Sequence, residues 1–439
     1  MKKCLSVLAV LMLSLCFIFS GCSPKLELPA GNNISSNGGR VVMVDNYVYF
    51  ANTFVDYTTL SGVNNTEATT EHNSLNRVKT NEYGFVTKDD DDVIENNEVV
   101  YSKMAGFNNS NMFVVGSYLY YTSPNAHKDK NGNDLFDKTT LFRMKLDGTM
   151  NKEVLSTETS QGEFYLVTGE TNYLLIFDNN KIQKLTIGDN LGSLEVLAED
   201  VMDTVFPKEY GNLNTVYYTK DIREQDKNDG LTGNQLYKLD LQTKTSTQIG
   251  KPLAHTVVLV AYENNVLYYQ KSIQGEVLYY ANTMVGGFET AEKQLTYLPE
   301  VEGAEAVISN FTPINAENYC FIYSSKLMLN NSTTPLVDSA ESIQMVYGDY
   351  IYYTTTDGLY RISYKDKTVQ TVAEVTNIQA NSCEVAGEYV YFYATLKDNT
   401  ASAYYCYRAN NKTIEYGRTQ VDCIAQISVD DLSSSTEEE

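Results

Sequence analysis

The sequence predicts an all-β fold, a β-propeller of four-stranded antiparallel blades, eight in number with seven as the alternative. Three observations predict it. A short aromatic strand signal recurs eight times: YVYF from Tyr47, YLYYT from Tyr118, YLLIF from Tyr173, TVYYT from Thr215, VLYYQ from Val266, YCFIY from Tyr319, YIYYT from Tyr350 and YVYFY from Tyr389. Self-similarity at such a period marks a unit that cannot bury its apolar face alone. The composition suits strands, with 35 Tyr, 16 Phe and no Trp in 439 residues, because aromatic rings fill pleated, half-buried surfaces. Extended helical patterns are absent.

The elements follow in order. Met1-Lys2-Lys3 and the apolar run from Leu5 to Ser20 read as a secretory signal, residues 1–21. Residues 22–39, rich in Pro, Gly, Ser and Asn, read as a flexible tether. The propeller body spans 40–430, and 431–439 is a disordered acidic tail. In the first unit Tyr47–Phe50 is followed by a long polar insertion and Leu75–Val78. The second contains Met112, Tyr118–Thr122, Leu141–Leu146, the turn Asp147-Gly148-Thr149, and Glu153–Leu155. The third (Tyr173, Ile182) and sixth (Tyr319, Lys326) are compact. The fourth has Val216–Thr219, Leu236–Leu241 and Thr247–Ile249; the fifth has Val266–Tyr269, Val277–Ala281 and Lys293–Thr296.

The seventh unit is the clearest. Ile343–Val346, Tyr350–Thr354, Leu359–Tyr364 and Val369–Val372 are separated by turn signals at Gly348-Asp349, Thr356-Asp357-Gly358 and Lys365-Asp366-Lys367. The eighth matches it with Cys383–Val385, Tyr389–Tyr393, Tyr404–Arg408 and Thr413–Tyr416. Cys423–Val429 is expected to pair with the first blade and close the ring. Three insertions, at 51–74, 123–139 and 220–234, each fall between a second and a third strand, so a radial array would gather them on one rim.

The repeated GDYIYYTTTDGLYRISYKD, with GSYLYY and LFRMKLDGT, resembles an uncharacterised bacterial propeller domain that is distantly similar to the propellers of low-density-lipoprotein receptors. The resemblance covers most of residues 40–418 and implies blades, not catalytic residues. Ser20-Gly21-Cys22 resembles the bacterial lipobox, although Phe19 replaces the usual leucine. That resemblance implies a diacylated Cys22 and a place on the outer face of the cytoplasmic membrane of a Gram-positive bacterium. Two acyl chains are what stable anchoring needs.

The net charge of −23 excludes a phosphate-backbone partner such as nucleic acid. Asp129, Asn131, Asn133 and Asp137 place oxygens at alternating positions and form a calcium candidate. However, Asp134 stands where an EF-hand loop has its glycine, and Thr140 where it has its glutamate. No other cofactor is expected. The run Lys88-Asp89-Asp90-Asp91-Asp92 reads as a solvated turn. His72, His127 and His255 show no metal spacing. After the signal and Cys22, four cysteines remain, and Cys383 and Cys406 share one repeat, which makes them the disulfide candidate. No nucleophile elbow or phosphate-binding loop is present. The expected function is a non-enzymatic, monomeric binding or scaffold protein for an envelope protein, peptide or glycan. The alternative is a polysaccharide- or peptide-cleaving enzyme with its site at the propeller channel.

Overall fold

The computed structural model describes residues 26–55, 74–80, 98–101, 111–125, 130–132, 138–159, 162–207, 211–222, 232–273, 276–295, 308–315, 317–395, 403–415, 417 and 420–425. They form eight antiparallel sheets in chain order, one for each aromatic repeat: five of four strands, two of five and one of three. The eight-bladed propeller is therefore the fold, and the seven-bladed alternative is ruled out. The apolar clusters lie between blades. Val42, Tyr49, Met112 and Leu119 join the first to the second, and Phe113, Tyr120, Leu166 and Leu174 join the second to the third. The largest cluster packs Val41, Val48 and Phe50 of the first blade against Val390, Phe392 and Tyr393 of the eighth. Each sheet thus buries both faces against its neighbours, which one isolated repeat could not do.

The Tyr-x-Tyr…Arg pattern of the repeats has a specific role. Tyr49 pairs with Arg77 across the second and third strands, as Tyr120 does with Arg143, Tyr352 with Arg361 and Tyr391 with Arg408. Each guanidinium lies over the tyrosine ring two residues earlier, at 4.3 Å for Tyr47, 4.7 Å for Tyr118, 4.3 Å for Tyr350 and 4.6 Å for Tyr389. The stacked cations of Arg77, Arg361 and Arg408 are buried, where the attraction to the ring is strongest. The same groups then reach the next blade. The Tyr49 hydroxyl donates to the Leu146 carbonyl at 2.6 Å. Arg143 donates to the Gly188 carbonyl at 2.8 Å, and Arg361 donates to Asn411 Oδ1 at 3.1 Å. In each case the acceptor follows the third strand of the neighbouring blade, so the motif pins one blade to the next.

Ring closure differs from the expectation. The described part of the last strand, Val421–Cys423, pairs with Ala403–Asn410 of its own blade rather than with the first blade. Residues 426–429 lie outside the described residues. Closure instead uses Thr53–Val55, which leaves the first blade and pairs with residues 403–405 of the eighth. Tyr393 reinforces it by donating to the Ala51 carbonyl at 2.9 Å. The expected fourth strand at Thr413–Tyr416 is replaced by a short helix, Asn411–Glu415. The cause is local: the Asn410 side chain accepts from the Lys412 and Thr413 amides, an N-cap that turns the chain out of the sheet.

Inside this seam the Glu384 carboxylate accepts from the Val41 amide at 3.1 Å. A Cβ at Gly39 would overlap that carboxylate, so a larger residue there would displace Glu384. Arg40 donates to Gln379 Oε1 at 2.9 Å.

Residues 26–39, read from sequence as part of a free tether, are docked on the body. Asp45 accepts amides from Gly31, Asn32 and Asn33, and these bonds hold its carboxyl below the usual range. Arg77 donates to the Glu27 carbonyl at 2.6 Å, and the Tyr47 hydroxyl to the Glu27 carboxylate at 2.8 Å. Ile34–Ser35 then adds a strand to the inner edge of blade one, and Asn37 exchanges two hydrogen bonds with the Val114 backbone. The Asn and Gly residues that suggested disorder here supply turns and side-chain bonds instead. Asp45→Ala is expected to speed amide hydrogen exchange at residues 31–33 while leaving the blade strands protected; unchanged exchange there would mean that Asp45 does not hold the segment.

Candidate functional site: the mouth of the channel

Antiparallel connectivity assigns every turn to one of two faces. One face carries the starts of the inner strands, the ends of the second strands and the starts of the third. The other carries the turns between first and second strands and between third and outer strands. The flanks of the three insertions (Ala51 and Leu75, Pro124 and Thr139, Asp221 and Asn234) are ends of second strands and starts of third strands, so all three leave from the first face.

A cavity of 580 Å³ runs along the inner strands and reaches their starts at that same face. Asn111, Glu163 and Asp203 stand at or just before the starts of the second, third and fourth inner strands; Leu259 of the fifth and Asn381, ahead of the eighth, complete the wall. Tyr165 and Phe206 stack at 5.2 Å and form its aromatic side. No Lys or Arg stands among the described lining residues. Burial pushes the Glu163 carboxyl up, and the neighbouring Asp203 adds to the shift. Burial likewise raises Asp203, against a 2.6 Å hydrogen bond from the Leu259 amide. Two carboxyls raised in this way favour a guest that brings positive charge, because a cation offsets the cost of charging them.

The residues singled out from sequence lie elsewhere. Cys22, Asp129, Asn133, Asp137 and the Lys88–Asp92 run fall outside the described residues, and Asn131 is exposed in a turn. Among the described residues no group of three or more His, Cys, Asp or Glu is arranged to hold a metal. Cys383 and Cys406 are free thiols, as are Cys320 and Cys423, so the expected disulfide is not formed. Cys383 directly precedes the inner strand and Cys406 lies on the third, with Tyr389–Ala394 between them. Two strand spacings, about 9.5 Å, exceed what a disulfide spans. Burial pushes the Cys383 and Cys406 thiols far up and Cys423 to about 12, which leaves them protonated and unreactive at neutral pH. Sequence reasoning missed Glu163 and Asp203, since nothing in the sequence separates them from the other acidic residues.

No protein-family model matches the chain, and no curated protein sequence matches it. Several solved structures align with the chain at low identity. A puromycin-hydrolysing peptidase of Mycobacterium tuberculosis aligns over 74% of this chain and 54% of its own, at 11% identity and a TM-score of 0.47. The β-propeller domain of the Trilobed protease from Pyrococcus furiosus aligns over 78% and 94%, at 7% identity and 0.40. Apo AztD from Citrobacter koseri aligns over 80% and 92%, at 10% identity and 0.40. The chain spans about half the length of the peptidase.

Proposed function

We propose that this chain is a lipid-anchored extracellular propeller that binds an envelope protein, peptide or glycan without transforming it. The observation that carries the reading is the shared face: the cavity and the flanks of all three insertions lie on one side of the ring. Long loops on a rigid scaffold are the usual means of recognition, and a concave pocket with a few converging polar groups is the usual place for it. The carboxylates of Glu163 and Asp203 select a ligand that presents an amine, such as a peptide amino terminus, a lysine side chain or an amino sugar. The net charge of −23 supports the same preference and opposes nucleic acid. Diacylation at Cys22 would keep the propeller, a monomer, at the outer face of the membrane.

The test is a binding screen of the purified propeller against envelope glycans and basic peptides, with and without calcium. The Glu163→Gln/Asp203→Asn variant is expected to bind its amine-bearing ligand roughly tenfold more weakly. Removing residues 56–73, 126–137 and 223–231 together, which spares the closing strand Thr53–Val55, is expected to abolish binding. Unchanged affinity in both variants would dismiss this face. The raised carboxylates also carry a second reading, hydrolysis at the same mouth, which predicts ligand cleavage detectable by mass spectrometry and its loss in the double variant.

A further inference from the structure

The N-terminal segment determines which way the ring faces. Gly31, Asn32 and Asn33 are bonded to Asp45, in the turn between the first and second strands of blade one. A Cβ on Gly31 would meet the carbonyl of Gly116, in the matching turn of blade two. Arg77, which donates to the Glu27 carbonyl, also donates to the Leu146 carbonyl just past the third strand of blade two. Leu26 packs into the cluster between these two blades. Residues 26–33 therefore lie on the face opposite the cavity and the insertions. Ile34–Ser35 then climbs beside the inner strand, and Gly38 and Gly39 bond to the Met112 backbone at the start of the next inner strand.

Only four peptide steps separate Leu26 from Cys22, a reach of about 14 Å when fully extended. The second and third strands of blade two, Tyr118–Pro124 and Thr139–Lys145, are each about 23 Å long, so this reach keeps Cys22 nearer the face on which Leu26 packs. A second observation concerns the same face independently. The three most exposed large apolar side chains among the described residues are Val285 at 76%, Met150 at 63% and Tyr347 at 53%. Val285 and Met150 sit in turns between third and outer strands, and Tyr347 ends an inner strand at the turn into the second. All three belong to the face that receives the N-terminal segment, and they are spread over blades five, two and seven. Leu28, 44% exposed, joins them.

We propose that this face rests flat on the lipid bilayer, with Met150, Val285, Tyr347 and Leu28 in the interfacial layer, so that the cavity and the insertions point away from the membrane. Isolated apolar and tyrosine side chains suit the headgroup region, where apolar atoms leave water and a hydroxyl stays hydrated. The orientation rests on the reading of Cys22 as acylated. It makes the ligand of the channel mouth one that approaches from the cell wall or the medium.

The full-length acylated protein tests it in vesicles of phosphatidylcholine and phosphatidylglycerol that carry a spin-labelled lipid. Met150→Cys, Val285→Cys and Tyr347→Cys report one face through an environment-sensitive fluorophore; Met202→Cys and Val277→Cys report the other. All five positions are exposed, so the variants should fold. Roughly threefold or greater quenching is expected at the first three sites and none at the last two, given insertion of about 5–10 Å. Quenching at Met202 and Val277, or at no site, would overturn the orientation. Quenching at Met150 alone would mean that the ring stands on the edge nearest the anchor, and would overturn flat contact. Mass spectrometry of the same sample separates the two ideas. An acylated Cys22 with the wrong pattern rejects the orientation alone, whereas an unmodified Cys22 rejects the anchor and the orientation together.

Discussion

Replacing Arg408 with alanine is expected to destabilise the protein by about 3–5 kcal/mol, the usual loss when one partner of a buried ion pair is removed. Both side chains are buried, Arg408 wholly and Asp422 to within 5%, and they meet at 3.4 Å. Arg408 also lies over the Tyr389 ring and pairs with Tyr391 in the closing blade. Without it, Asp422 remains as a buried carboxylate that has lost its ion-pair partner. Burial already raises Asp422, while Arg408 opposes that shift, so the variant carries Asp422 higher still. The sign follows. A carboxyl raised in the folded state costs stability as pH climbs from its unfolded value through its folded one. The loss in Arg408→Ala should therefore be largest in neutral and alkaline buffer and shrink on acidification. Arg408→Met with Asp422→Leu should recover most of the loss, since apolar replacements leave no uncompensated charge. Denaturant titration of the three proteins at two pH values checks this, with hydrogen exchange to locate the loosening in blade eight. Equal losses at both pH values would show that stacking on tyrosine, not the ion pair, dominates.

Glu384→Gln is expected to remove a pH dependence from the seam. Burial raises the Glu384 carboxyl from an ordinary 4.5 to about 7, against hydrogen bonds from the Val41 and Arg40 amides and Ser36 and the charge of Arg40. Between those two values the folded state holds a proton that the unfolded state has released. Stability contributed by this group is thus complete below about pH 4.5 and is lost as pH rises through about 7. The shift corresponds to about 2–4 kcal/mol between the two limits. The glutamine variant keeps an acceptor for the Val41 amide and cannot ionise. It should match the native protein in acid and exceed it near pH 8. Parallel stability profiles from pH 5 to pH 8 would show that the carboxyl titrates as it does in water.

Both predictions concern the joint between the first and last blades, the joint that the sequence described least well. The aromatic strands were easy to recognise because their period is a local property: Tyr350, Tyr352 and Arg361 carry the same spacing whether or not the ring exists. The closure was not, because it depends on partners about 350 residues apart. Nothing about Thr53–Val55 distinguishes it from the polar insertion it begins, and its pairing with residues 403–405 arises only when the ring brings those edges together. Cys423–Val429 looked the better closing strand on alternation alone. The Asn410 cap and the helix after it left blade eight without an outer strand, and Val421–Cys423 took that place.

The candidate site divides in the same way. That three insertions share one face follows from strand order, and strand order was readable in the sequence. Which carboxylates stand at the channel was not, since Glu163 and Asp203 come from the neighbouring third and fourth blades and line one cavity only once those blades have packed. The tethering segment shows the opposite error: Gly31, Asn32 and Asn33 read as disorder, but the Asp45 carboxylate gives their amides partners.

The sequence by itself determined the repeat, the propeller class and the face from which the insertions leave, because strand periodicity and antiparallel turns are set by neighbours along the chain; the choice of eight blades over seven came from the structure. Only the tertiary structure decided how the ring closes, which acids share the cavity, and where the N-terminal segment docks. Those outcomes depend on burial and on contacts between distant residues, and the energies of such contacts exist only once the blades have met.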